Sequence, residues 1–197
     1  MKTFRALFSL MLITVLLLPS FSLAGQSMGH TVIGDPWWRY EPGETIQGNS
    51  CLLRMVQVGD LVVPVPVNDW FEEPVPKELE HPDRKLFLLH PQTGSYFSVA
   101  YTETDPDLTA RKLYRQFVKE GSNLLPQLIH TPSGVDAVYT VGYDIPAHSY
   151  TIFDGKGGVY VIETVYTARA YDRYEDIGSR ISARNYDIVN LLYLIED

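Results

Sequence analysis

Residues 51–67 read CLLRMVQVGDLVVPVPV, and this stretch decides the class of fold. Two apolar runs of strand length, Cys51–Val58 and Leu61–Val67, stand on either side of Gly59-Asp60, a pair that favours a tight turn. The two prolines of the second run lack the N–H that a sheet ladder needs. We therefore expect an antiparallel pair whose second strand lies at an edge or pairs on one side only.

Further strands are predicted where apolar and polar residues alternate, or where short apolar runs are bounded by turn residues. They are Lys85–His90, Ser95–Thr102, Ala137–Tyr143, Ser149–Asp154 and Val159–Thr167. The sequence PQTG at 91–94 separates the first two, and GKGG at 155–158 separates the last two. Strands joined by such short turns are antiparallel, so the sequence predicts two more hairpins.

Two helices are predicted from apolar residues that recur with a period of 3.6. Asp107 is a good N-cap for the first helix. The apolar face of that helix is formed by Ala110, Leu113, Phe117, Gly121 and Leu124. The second helix is expected from about Tyr174 to Ile195. A break near Arg184 followed by a final strand is the alternative, since Ile188–Ile195 also suits a strand.

This order of elements predicts an α+β fold, with a mostly antiparallel β-sheet flanked by helices in an α/β/α sandwich. We assign residues 51–197 to a single domain of this kind. Residues 25–50 precede it as a leader or strap that is rich in glycine and proline and shows no periodicity.

The first 24 residues have the layout of a secretory signal peptide. Lys2 and Arg5 form the basic start, and Ala6–Leu18 is an apolar run that is shorter than the ~20 residues needed to cross a bilayer. Ser22 and Ala24 then suit cleavage before Gly25. An uncleaved membrane anchor is the alternative. We expect a periplasmic or secreted protein with no transmembrane anchor after cleavage.

The candidate binding residues are Trp37, Trp38 and Tyr40 in the leader, which surround Arg39. Tryptophan, tyrosine and arginine are the residue types that dominate binding hot spots. Large aromatic side chains also bury themselves readily against a nearby sheet. The cluster is therefore either a recognition site for a partner or a strap packed on the domain.

Composition excludes several other functions. A net charge of −8 argues against nucleic acid, because phosphate binding needs a basic patch. The single cysteine, Cys51, excludes an internal disulfide; it stays free or pairs between chains. The five histidines lack metal-ligand spacing, and no serine-hydrolase elbow or phosphate-binding loop occurs, so we predict no catalytic residue, metal or cofactor.

The order of elements resembles the PsbP-like family. The resemblance is carried by residues 61–67 ending at Asn68-Asp69-Trp70, by Tyr96–Thr102 followed by a helix over Leu108–Leu124, and by the late hairpin Tyr150–Tyr166 before a closing helix. It covers roughly residues 51–197 and implies an α/β/α sandwich with a binding or assembly role. No partner-binding or metal-binding residue of the family can be matched to this chain.

We therefore expect an exported, non-enzymatic binding or assembly-accessory protein of the cell envelope, with a protein partner. Two alternatives remain open at this stage. One is a small secreted hydrolase whose active site is assembled from distant residues, for example around His90 or His130 beside a carboxylate. The other is a carrier of a lipid or small ligand in an apolar cavity.

Overall fold

The computed structural model describes residues 39–77, 83–120, 124–142 and 147–195. These residues belong to a compact unit that spans Pro36–Asp197; the other unit, Met1–Asp35, lies outside the described residues. The strands of the described part are β1 Thr45–Gln47, β2 Leu52–Val58, β3 Leu61–Pro66, β4 Phe71–Glu72, β5 Arg84–His90, β6 Ser95–Glu103, β7 Gln127–His130, β8 Asp136–Val141, β9 Ala147–Phe153, β10 Gly158–Val165 and β11 Tyr193–Leu194. Its helices are α1 Ala110–Glu120, α2 Ala168–Arg173 and α3 Ile177–Leu191.

The strands form two antiparallel sheets. The small sheet has the order β1-β2-β3-β11, and the large sheet has the order β4-β5-β6-β10-β9-β8-β7. In the large sheet the β5–β6 and β9–β10 hairpins predicted from the sequence are both present, and β10 joins them by pairing with β6 over its whole length. The predicted α+β class with mostly antiparallel strands is thus confirmed.

The main core lies on one face of the large sheet. Alternate residues of β6, β9 and β10, such as Phe97, Ile152 and Ile162, meet the inward side of the small sheet and helix α3 there. Helix α1 packs against β7, β8 and β9. Val138 is fully buried but points to the side of β8 opposite Ala137 and Tyr139, so α1 covers that second face. The large sheet is therefore covered on both faces at β7, β8 and β9.

Strand β3 departs in part from the sequence prediction. It pairs with β2 along its length and with β11 at Leu61 and Val62, so it is an inner strand at its start. Pro64 and Pro66 lie beyond the two residues that β11 reaches, where β2 is the strand partner. The prolines thus sit where no second ladder needs their missing N–H.

The ends of the helices also differ from the sequence prediction. Helix α1 begins after Thr109, whose hydroxyl accepts the N–H of Lys112 at 3.3 Å, so Thr109 and not Asp107 caps it. The helix predicted from about Tyr174 to Ile195 is confirmed over Ile177–Leu191, but its ends are wrong, because residues 193–194 pair with β3. The alternative is wrong about a break near Arg184, since α3 continues through that residue, but the final strand that it expected is present at Tyr193–Leu194.

The leader contains regular structure that its sequence did not predict. Residues 45–47 form β1 and pair with β2. Just before them, the N–H of Gly43 donates to the carbonyl of Met55, and Glu44 accepts the N–H of Met55. A three-residue strand is too short for a period to show, so the pairing depends on the free edge that β2 offers.

Candidate functional site

The leader is anchored on the outward face of the small sheet. The guanidinium of Arg39 lies 5.3 Å from the ring centre of Tyr193, and the Tyr193 hydroxyl donates to the carbonyl of Tyr40 at 2.8 Å. The half-buried Tyr40 ring packs with Tyr193 on the apolar surface of Met55 and Val62. These contacts fix the main chain of the leader at residues 39 and 40.

Trp37 and Trp38 lie outside the described residues, so of the three predicted binding residues the structure places Tyr40. The two tryptophans directly precede Arg39 in the sequence.

A second candidate site lies between the large sheet and helix α3. We define it as the polar cluster, which consists of Tyr139, His148, Thr164, Arg184 and Asn185. All except Asn185 are buried, and Arg184 is 4 % exposed. Thr164 pairs across the sheet with His148 on β9 and with Phe97 on β6. Since Arg184 stacks over the Phe97 ring at 5.0 Å and Asn185 reaches His148, the five side chains meet above one point of the sheet.

The hydrogen bonds of the polar cluster form a chain in which each group donates to the next, from Asn185 through Tyr139 to His148. The Asn185 amide donates to the Tyr139 hydroxyl at 3.2 Å. That hydroxyl lies 2.6 Å from His148 Nδ1. The Asn185 nitrogen, which can only donate, also lies 3.3 Å from Nδ1, so we infer that Nδ1 is an acceptor and that the Tyr139 hydroxyl donates its own hydrogen to it. His148 is therefore held as the neutral ring, with its proton on Nε2.

Several polar atoms of the cluster have no protein partner. They are Arg184 Nη1, Thr164 Oγ1 and Asn185 Oδ1, all of them inaccessible to solvent. The other terminal nitrogen of Arg184 donates to the carbonyl of Pro64 at 2.6 Å. Leaving a buried polar atom unsatisfied costs about 1–3 kcal/mol, so the cluster is an energetically expensive part of the core.

Asp187, one turn after Arg184 on α3, holds the loop between β1 and β2. Its Oδ1 accepts the main-chain N–H and the side-chain amide of Asn49, both at 2.9 Å. Its Oδ2 accepts the N–H of Ser50 at 2.9 Å and the Ser50 hydroxyl at 2.8 Å. With four donors on one buried carboxylate, α3 is pinned to the small sheet next to Cys51, whose thiol is free and half-buried.

Burial controls the protonation of the polar cluster. It lowers the pKa of His148 to about 4, because a charged imidazolium loses its hydration there. Burial raises the pKa of Tyr139 and lowers that of Arg184 for the same reason. It also raises the pKa of Tyr166, whose ring lies 6.0 Å from that of His148, to about 12. At neutral pH the cluster therefore holds neutral tyrosines and a neutral histidine near the Arg184 guanidinium.

The two histidines proposed from sequence for a hydrolytic site have different surroundings. His130 does lie beside a carboxylate, with its Nδ1 2.8 Å from Asp136 Oδ1, but the two side chains are 72 % and 66 % exposed on the β7–β8 hairpin. His90 is buried and contacts the hydroxyls of Thr93 and Tyr174 at 3.1 and 3.4 Å. His130 thus has the carboxylate but lies on the surface, whereas the described contacts of the buried His90 are hydroxyl groups.

An open groove of about 390 Å³ lies at the end of the β5–β6 pair. Its lining is polar and consists of Asp83, Lys85, Tyr101, Thr102 and Glu103. Within the described part of the chain, no three histidine, cysteine or acidic side chains come together as a metal site would need. No helix of the same part is long and apolar enough to cross a membrane.

Sequence reasoning missed the polar cluster. The available signal is in α3, where Arg184 and Asp187 fall on the same helical stripe as Ile181 and Ile188. A charged residue on an apolar stripe indicates either a buried polar contact or a break in the helix, and the sequence analysis considered only the break, as its alternative to a continuous helix. His148 gave no such signal, since Asn185 of the cluster is 37 positions away in sequence.

The fold and these sites define an α+β protein of two antiparallel sheets, with an aromatic anchor on one face and a buried polar cluster inside. No family profile matches the chain. No curated protein matches it by sequence.

Solved structures show a weak resemblance in fold. One is cyanobacterial PsbP from Synechocystis, with a TM-score of 0.45 and 12 % identity over 76 % of this chain and 94 % of that one. Another is a crystal structure from Bacteroides thetaiotaomicron, with a TM-score of 0.43 and 10 % identity over 80 % of this chain and 50 % of that one. The first of these is a PsbP protein, from the family that the order of elements in the sequence resembles.

Proposed function

We propose that this chain is an exported binding or assembly-accessory protein of the cell envelope, which recognises a protein partner and catalyses no reaction. Its recognition site is the leader cluster of Trp37, Trp38 and Tyr40. The proposed location is the periplasm or the extracellular space, supported by the signal-like first 24 residues.

The observation that carries this proposal is the anchoring of the leader. The hydrogen bond from Tyr193 to the Tyr40 carbonyl and the stacking of Arg39 hold the main chain immediately after the two tryptophans. A tethered aromatic segment loses less conformational freedom on binding than a free one, which favours affinity. The anchor thus turns a short leader into a usable recognition element.

The test compares binding by purified proteins in extracts of the cell envelope. The Trp37→Ala/Trp38→Ala protein is expected to lose at least one partner that the wild-type protein captures. The matched control is Tyr171→Ala/Tyr186→Ala, which removes two aromatic side chains that are 43 % and 55 % exposed on α2 and α3. This control is expected to retain the partner.

Two results would contradict the proposal. Recovery of the same partners by all three proteins would remove the role of the leader. Turnover of a substrate that a single substitution abolishes would show an enzyme instead. Sequencing the N-terminus of the exported protein checks the location separately, with Gly25 expected as the first residue.

A further inference from the structure

Helix α3 is held by side chains that reach three different parts of the protein. Arg184 donates to the carbonyl of Pro64 in β3, Asn185 donates to Tyr139 in β8, and Asp187 binds the loop at Asn49. The first half of the helix has little apolar support besides these bonds. Its one buried apolar residue, Ile181, belongs to a small cluster with Tyr166 and Ala170.

The C-terminal end of α3 and the residue that follows it are held differently. Ile188 and Leu192 are fully buried in the main core. Segments with few buried apolar contacts open locally at lower free energy than segments that are part of the core. Residues 177–186, which we call the first half of α3, are therefore the part of the helix that can separate from the sheet while the rest stays packed.

The contacts of Asn185 and Tyr139 with His148 suit the neutral ring. If Nδ1 gains a proton, it must donate to the Tyr139 oxygen, which can still accept from Asn185, but the hydroxyl hydrogen of Tyr139 then loses its acceptor. The Asn185 amide nitrogen, which is a donor and lies 3.3 Å from Nδ1, would also face the new N–H of His148, which is a donor too. Protonation therefore leaves the Tyr139 hydrogen without an acceptor and sets two donors, those of Asn185 and His148, against each other, which weakens the contact of α3 with β8 and β9.

Within the residues that the structure describes, which leave out 143–146, no opposite charge is in position to hold a protonated His148. The groups that face it are Tyr139 on β8, Thr164 on β10, Tyr166 just after β10, and Asn185 on α3. Next to Asn185 on α3 is Arg184, and the positive charge of its guanidinium repels an imidazolium. The carboxylate of Asp187 is occupied by the donors of Asn49 and Ser50.

We propose that the polar cluster is an acid-sensitive latch, in which protonation of His148 releases the first half of helix α3 from the large sheet while both sheets remain paired. The unpartnered atoms of Arg184, Asn185 and Thr164 lower the cost of opening, because water satisfies them once the helix has lifted. This inference is independent of the proposed partner and of the leader.

The size of the effect follows from linkage. His148 has a pKa of about 4 when the helix is closed and its ordinary value of about 6.5 when opening exposes it. The opening equilibrium therefore rises as pH falls from 6.5 towards 4, by about thirty-fold between pH 7.5 and pH 5. Above pH 7 the latch stays closed and insensitive to pH.

Hydrogen exchange measured by mass spectrometry tests the latch on the full chain. The protection factor of a peptide covering residues 177–186 is expected to fall about thirty-fold from pH 7.5 to pH 5, while a peptide from β10 keeps its protection. In His148→Gln, whose side chain stays neutral, the protection of residues 177–186 is expected to be independent of pH. His130→Gln, which alters the exposed histidine of the β7–β8 hairpin, is expected to keep the wild-type profile.

Loss of protection to the same extent in β10 and in residues 177–186 would overturn the latch, because it would show unfolding of the whole protein. An unchanged pH profile in His148→Gln would overturn it as well. If that variant does not fold, the ring of His148 in the wild-type protein is titrated by NMR. A midpoint near 4 supports the latch, and a midpoint near 6.5 refutes it.

Discussion

The Asp187→Asn substitution tests whether α3 fixes the loop between β1 and β2 through one carboxylate. Asparagine has almost the same shape as aspartate, so packing is preserved. It offers one oxygen and one NH₂ group to four donors, those of Asn49 and Ser50. Whichever way the amide turns, its NH₂ group faces two of these donors.

The magnitude follows from the geometry. The Ser50 hydroxyl can rotate and accept a hydrogen from the amide, so the amide is expected to turn its NH₂ group towards Ser50. One main-chain N–H, that of the part-buried Ser50, is then left without an acceptor, and the two remaining bonds to Asn49 lose the assistance of a charge. An unsatisfied buried donor costs about 1–3 kcal/mol, and bonds to a charged group are stronger than neutral ones by about 1 kcal/mol. Because Asn49 is exposed and Ser50 is only part-buried, water offsets some of this loss, and we expect Asp187→Asn to lower the free energy of unfolding by about 2–4 kcal/mol.

Urea unfolding followed by circular dichroism at pH 7.5 measures this free energy. The matched control is Asp172→Asn on the exposed surface of α2, which is expected to change it by less than about 0.5 kcal/mol. A loss below about 0.5 kcal/mol in Asp187→Asn would refute the reasoning, since it would mean that the four bonds contribute nothing beyond what water provides.

Two further substitutions test the turn after β2 and the anchor of the leader. Gly59→Ala is expected to destabilise the protein by about 1–3 kcal/mol, because Gly59 has a φ of +60° and a β-carbon there would lie 2.4 Å from the Tyr160 hydroxyl. Gly178→Ala in helix α3 is expected to stabilise the protein by up to about 1 kcal/mol, because a β-carbon there meets no atom within 4 Å. Thermal unfolding measures both variants, and a higher melting temperature for Gly59→Ala than for Gly178→Ala would show the reasoning to be wrong. Tyr193→Phe removes the hydrogen bond to the carbonyl of Tyr40 but keeps the ring. We expect it to lower the free energy of unfolding in urea by about 0.5–1.5 kcal/mol and to speed proteolysis of the leader. An unchanged rate of cleavage would argue against the anchor.

The sequence determined the fold class because that information is local. The turns at 91–94 and 155–158 lie between apolar runs of strand length, and adjacent runs joined so closely have to pair antiparallel. The periodic face of α1 was equally readable, although its N-cap was placed two residues early. Each of these features depends on residues that are neighbours along the chain.

The division of the strands between two sheets depended on tertiary structure. Residues 193–194 complete the small sheet by pairing with β3, more than 120 positions earlier in the chain. Their composition suits a helix or a strand, so local pattern could not separate the two. The same holds for β1, which forms because β2 has a free edge beside it.

The sequence by itself determined the acidic composition, the signal-like start, the single thiol and the aromatic leader. Only the tertiary structure decided what the polar residues do. It brought His148, Tyr139, Thr164, Arg184 and Asn185 together from β8, β9, β10 and α3, and burial then set their protonation. The physical reason is that desolvation and hydrogen bonding act over a few ångströms in space, a distance that bears no relation to separation along the chain.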